Sequence, residues 1–172
     1  MKGKLPPQAV DLEEIVIGAL LIDNRATDDV MDYLRPDIFY QEKNKLIFKA
    51  IQNLYDANEA IDLKTVSHQL KKSKDLAMVG GDFHLIELTQ KISSSAHIDH
   101  HGRILMQKYI QRELISNSSA IIENAYDDGF DSLDLLDKAF DHLGEVSNLI
   151  IRNKEIDIKE LTAEIIDYGG KL

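Results

Sequence analysis

The chain contains no cysteine. That absence excludes disulfides, thiolate nucleophiles and cysteine–zinc clusters. It fits a cytosolic protein, although exported proteins also lack cysteine. Long apolar runs are missing too. The longest, "IVIGALLI" from Ile15 to Ile22, has eight residues, far short of the ~20 that cross a bilayer. The opening "MKGKLPPQAVDLEE" has two lysines but no apolar core before its acids begin, so it is not a signal peptide. Basic residues are scarce: 20 Lys and Arg stand against 30 Asp and Glu, a net charge of −10. A surface that grips nucleic acid by neutralising phosphates is normally basic, so this chain alone is a poor general DNA binder. Catalytic signatures are absent as well. No G-x-x-x-x-G-K-[ST], G-x-G-x-x-G, G-x-S-x-G or H-E-x-x-H occurs, and nothing in the residues cradles a nucleotide or hydrolyses one.

What is present is helical spacing. With 172 residues, three prolines and no tryptophan, the chain can bury roughly 70% of its unfolded surface, and its periodicity predicts an all-α fold. Asp11 is placed to cap a first helix, with Glu14 three residues on; this helix is apolar almost all round and belongs in a core. A short second helix carries Val30, Met31 and Leu34 and stops before Pro36. Leu46, Ile47, Ala50, Ile51 and Leu54 form one stripe of a third. Asp62 caps a helix with Leu63, Val66 and Leu70 inside. A Gly80-Gly81 turn follows, with Asp82 capping a helix through Leu85, Ile86 and Leu88.

After three serines the character changes. From Ile98 to Tyr126 there is no proline and one glycine, Gly102. As a helix this stretch is a rod ~43 Å long. Asp127 to Phe130 is a turn, and Asp131 or Ser132 starts a return helix bearing Leu136, Ala139, Phe140 and Leu143. The pair makes an antiparallel αα-hairpin, expected to project from the cluster of short helices. A hairpin buries only the face between its arms, so a remaining apolar stripe predicts self-association. Eight acids and one lysine lie between Glu123 and Glu145, mostly as solvated faces, with an acidic face for a basic partner as the minority alternative. Asp157 caps a last short helix with Ile158, Leu161, Ile165 and Ile166 on one side, too short to stand alone. The expected organisation is a globular head over 1–94, the hairpin over 95–148 and a linker with its helix over 149–172.

One cluster suggests chemistry. "SSSAHIDHHGRILM" places His97, His100 and His101 on one helical face, and imidazoles are common ligands for transition metals. Three ligands on one exposed turn lack both an enclosing pocket and supporting partners. A helix start is therefore the favoured reading, with a helical metal-binding hydrolase centred on those three histidines as the alternative.

Five segments, in order, resemble the N-terminal domain of the bacterial replicative DNA helicase, the DnaB family. They are "PPQAVDLEEIVIGALLIDNRA", "FYQEKNKLIFKAIQNLYDANEAIDLKTVSHQL", "VGGDFHLIEL", "AHIDHHGRILMQKYIQRELI" with Arg112 in its "REL", and "IDIKELTAEIIDY". At the hairpin start the family has an asparagine before the isoleucine and a tyrosine further on; here His97 and His101 stand near those places. Asp82-Phe83-His84 also departs, its aromatic coming a residue early. The resemblance implies a collar built from six such domains as a trimer of dimers, with Leu114, Ile121, Leu136, Phe140 and Leu143 in the hairpin seam. Ile158, Leu161, Ile165 and Ile166 would dock the linker helix on a neighbouring subunit. The implied partners are further copies, primase and a helicase loader, with DNA reached only through the parent ring and no membrane. No cofactor is expected in this stretch; ATP, magnesium and unwinding would belong to a following ATPase domain that this sequence lacks. The implied setting is the replication machinery of the bacterial cytoplasm and nucleoid. A primase-side or loader-side helical adaptor is a third possibility, against which the linker helix speaks.

Overall fold

α1 (Val10–Ile22) is the helix around which the first half of the chain is arranged. Val16, Ile17, Ala19, Leu20 and Leu21 are all buried, as a helix apolar on every side requires. A computed structural model describes residues 4–92 and 94–148. The terminal helix expected around Ile158, Leu161, Ile165 and Ile166 lies outside the described residues. α1 packs against α2 (Arg25–Val30), α3 (Glu42–Asp56), α4 (Leu63–Ser73) and α5 (Gly81–Gln90), with a single 3₁₀ turn at Pro36–Ile38. α6 (Ile98–Ala125) and α7 (132–148) complete the described residues. No strand occurs among the described residues, so the fold is all-α. Two compact units divide between Gln111 and Arg112. The packing of the first unit thus extends past residue 94, because Ile98, Leu105 and Met106 on the first turns of α6 are buried.

Helix ends differ from expectation in instructive ways. α1 begins at Val10 with Ala9 at its N-cap and no side-chain cap. Asp11 sits inside the first turn, where a carboxylate suits the helix dipole, and Glu14 is drawn elsewhere. It pairs with Lys43 at 3.2 Å and with Lys91, joining α1 to α3 and the end of α5. Burial pushes its carboxyl upward, but the bonds from Lys91 and Lys43 outweigh this and hold it below the usual range. α2 ends at Val30, so Met31 and Leu34 lie beyond it in the following turns, both buried or nearly so. α5 starts from Gly80, not Asp82. Asp82 instead accepts from Ser67 Oγ and pairs with Lys71 at 3.3 Å, fastening α5 to α4. Asp62 does cap α4: it accepts from Lys64 N at 2.7 Å and Thr65 N at 2.9 Å, and Thr65 Oγ1 accepts from Asp62 N at 2.9 Å. This is a capping box.

α3 buries Ile47, Ala50, Ile51 and Leu54 as expected, adds Phe48 and Asn44, and leaves Leu46 half-buried. Its own N-cap, Gln41, offers no side-chain bond. The cap comes from α1. Glu13, 1% exposed, accepts from the backbone N–H groups of Tyr40 and Gln41 and from Asn44 Nδ2 at 2.9 Å. A buried carboxylate with three donors is satisfied where a bare one would be very costly. On α5 Leu85 and Leu88 point inward, whereas Ile86 is 41% exposed.

α1 and α5 approach closely at Gly18. A Cβ there would collide with the Leu88 carbonyl oxygen and lie 2.6 Å from Ile92 Cγ1. Alanine would gain ~1 kcal/mol of helix propensity, but overpacking against backbone costs about 1–3 kcal/mol. Gly18→Ala should therefore lower the thermal unfolding midpoint followed by circular dichroism. A raised midpoint would show that the two helices separate freely.

Candidate assembly interface

The first turns of α6 are fastened by one polar cluster inside the first unit. Tyr33, buried after α2, donates its hydroxyl to Asp99 Oδ1 at 3.0 Å and lies 3.1 Å from the Asp99 carbonyl oxygen. Arg103, one turn on, donates to Asp99 Oδ2 at 2.8 Å, and its guanidinium stands 5.8 Å from the centre of the Tyr33 ring. Gly102 permits this: a Cβ there would collide with the Tyr33 hydroxyl. Burial, reinforced by the Asp99 charge and hydrogen bond, pushes the phenol far above its usual range. The group therefore stays protonated as a donor at all physiological pH values. Ser95 Oγ adds a bond to Asp23 Oδ2 at 2.8 Å, which with the Arg25 amide holds that carboxyl below its usual range.

The histidines sit beside this cluster. His97 and His100 are exposed and His101 is half-buried, with the His100 and His101 rings 6.2 Å apart. Among the described residues no three potential ligands converge on a point where an ion could sit. Burial, then the charges of His100 and His97, push the His101 imidazole down, so it favours the neutral form. Asp99, which lies among them in the sequence, is engaged by Tyr33 and Arg103. Ser95 turns to Asp23, while Ser94 Oγ accepts from Ala96 N at 3.1 Å.

In the second unit the two arms carry apolar residues on more than one face. On α7 a row formed by Leu135, Ala139 and His142, all half-buried, and the buried Val146 turns into the unit. A second row, Leu133, Leu136, Phe140 and Leu143, is exposed at 70%, 51%, 65% and 48%. Its spacings of three, four and three are those of a coiled-coil seam. On α6 the half-buried row holds Arg112, Glu113, Asn117, Ile121 and Asn124, while Leu114, Ile115 and Ile122 are 39%, 49% and 54% exposed. Four of the five seam residues expected from the sequence, Leu114, Leu136, Phe140 and Leu143, thus lie on exposed faces. Ile121 falls in the half-buried row instead. Leu133, Ile115 and Ile122 were not anticipated, although the period of the α7 row passes through Leu133.

The α6–α7 turn is built by aspartates. Asp127 Oδ1 accepts from Gly129 N at 2.9 Å, and Asp131 Oδ1 accepts from Leu133 N at 2.8 Å and Asp134 N at 3.3 Å, making Asp131 the cap of α7. Exposed apolar rows of this length are uncommon on surfaces that meet only water. No described helix is long and apolar enough to cross a membrane.

Residues 5–107 match the family described as the DnaB-like helicase N terminal domain. The replicative DNA helicase DnaB of Rhodothermus marinus is 33% identical over 165 residues, covering 96% of this chain and 17% of that protein. The corresponding helicase of Geobacillus stearothermophilus is 31% identical over 166 residues, covering 95% of this chain and 36% of its own length. The chain therefore spans about a third or less of these relatives. The crystal structure of the N-terminal domain of DnaB helicase from Mycobacterium tuberculosis superposes with a TM-score of 0.77 at 27% identity, over 83% of this chain and 99% of that one. A DnaB-like replicative helicase studied with its primase interactions shares the fold, with a TM-score of 0.66 at 22% identity over 80% of this chain and 30% of its own.

Tyr33→Phe removes the two hydroxyl contacts but leaves Asp99 paired to Arg103. It should cost about 1 kcal/mol and speed amide exchange across residues 98–106 while sparing α1. Unchanged exchange there would mean that the cluster does not fasten α6.

Proposed function

The chain belongs to the family of DnaB-like helicase N-terminal domains, and on that premise we propose that it is a collar module, an assembly and docking unit of a replicative helicase. Copies associate through the exposed seam of the second unit, first as dimers and then as a trimer of dimers around a hexameric ring. The observation that carries this is the row Leu133, Leu136, Phe140 and Leu143, which stands in solvent at coiled-coil spacing. A second row supports it on α6, at Leu114, Ile115 and Ile122. Water contact at both rows is relieved when another copy covers them.

The collar receives primase and a helicase loader, and the terminal segment bearing Ile158, Leu161, Ile165 and Ile166 docks on a neighbouring subunit. ATP, magnesium and strand separation belong to an ATPase domain of the parent protein, in the bacterial cytoplasm. This chain contributes no nucleotide site and meets DNA only through the ring. The net charge of −10 supports that division of labour.

Leu136→Asp combined with Phe140→Asp tests the seam. Both side chains are largely exposed, so helical content by circular dichroism should be retained. Sedimentation velocity should shift from dimers or larger species to monomer, since two buried unpaired carboxylates cost several kcal/mol. Retained association would place the seam on another face.

A further inference from the structure

A cleft of about 260 Å³ opens on the first unit where the start of α2 meets the loop after α3. Its wall includes Asn24, Thr27, Tyr55, Asn58, Glu59 and Ile61. We propose that this cleft takes the guanidinium of an exposed arginine on a protein partner. Size is the first argument. Sites for nucleotides and other drug-sized ligands run from about 300 to 1,000 Å³, so this one suits a single side chain.

Charge is the second. Glu59 is the only ionised group among those six residues and makes no ion pair among the described residues. The side-chain amides of Asn24 and Asn58 likewise make no hydrogen bond among them. Unused acceptors therefore surround the opening, and no lysine or arginine lines it. The cleft also lies at the C-terminus of α3, a 15-residue helix with no basic residue in its last turn. That end carries the negative pole of the helix dipole and favours a cation. The loop is held open in a fixed form: Asn58 sits at φ 57°, its N–H donates to Tyr55 O at 2.9 Å, and Glu59 N donates to Leu54 O at 2.9 Å.

Shape is the third. Tyr55, 37% exposed, offers a ring beside these acceptors, and Ile61 is buried at the floor. A planar guanidinium stacks on an aromatic face while its in-plane N–H groups reach acceptors at the rim. An ammonium lacks both features. The lining residues all belong to the first unit, and the proposal does not rest on the assembly reading.

The test is titration of the ¹⁵N-labelled full chain with N-acetyl-arginine methylamide, followed by amide chemical shifts. The expected result is saturable movement of signals from residues 24–27 and 55–61. Affinity should fall about two- to fivefold in Glu59→Gln, the range for an exposed ion pair, and the neutral N-acetyl-citrulline methylamide should move nothing. Equal binding of the citrulline compound, unchanged affinity in Glu59→Gln, or movement confined to the acidic stretch 123–145 would each overturn the proposal. Equal affinity for N-acetyl-lysine methylamide would overturn its guanidinium selectivity. Glu59 is exposed, so that variant folds.

Discussion

The long helix of this protein depends on a contact the size of one missing methyl group. Gly102 leaves room for the Tyr33 hydroxyl, which reaches Asp99 one turn earlier, and Arg103 closes the cluster from the other side. Each bond is modest, near 1 kcal/mol for a neutral donor and more for the charged pair. Their combined effect is to fix both the rotation and the start of α6. That matters because the first turns of α6 bring Ile98, Leu105 and Met106 into the core of the first unit.

A similar economy holds the head together. α1 is nearly devoid of polar side chains on its middle turns, and two of the three acids at its start are spent on other helices. Glu13 caps α3 from within the core, and Glu14 ties Lys43 of α3 to Lys91 at the end of α5. Charged groups at the ends of an otherwise apolar helix thereby orient its neighbours. Apolar packing alone is non-directional and could not do so. The exposed apolar rows are carried by the second unit.

The sequence made some of this legible. The all-apolar run of α1, the Asp62 cap of α4, the Gly80-Gly81 turn and the aspartate-rich turn before α7 each depend on residues a few positions apart, and each appeared where spacing placed it. Contacts between distant residues were hidden. Nothing local marks Glu13 as the cap of a helix beginning at Glu42, or Gly18 as the seat of Leu88. The same limit explains Ile121. Apolar spacing shows that each arm carries apolar residues, but several stripes coexist, and only packing decides which turns inward. The histidines, conspicuous in sequence, decorate the helix start, while the less conspicuous Asp99 among them carries the structural bond. The Arg-binding cleft was invisible for a further reason: its walls come from residues 24–27 and 55–61, which no motif joins.

The central claim is that the exposed row on α7 meets its counterpart on another copy. Because the chain lacks cysteine, a single Asp137→Cys substitution beside Leu136 can carry one spin label at a defined place on the rim of that row. Double electron–electron resonance on the labelled protein should then give a narrow inter-copy distance distribution. That distribution should disappear on dilution with unlabelled chain. A featureless decay at every concentration would contradict the account, because it would leave the row uncovered.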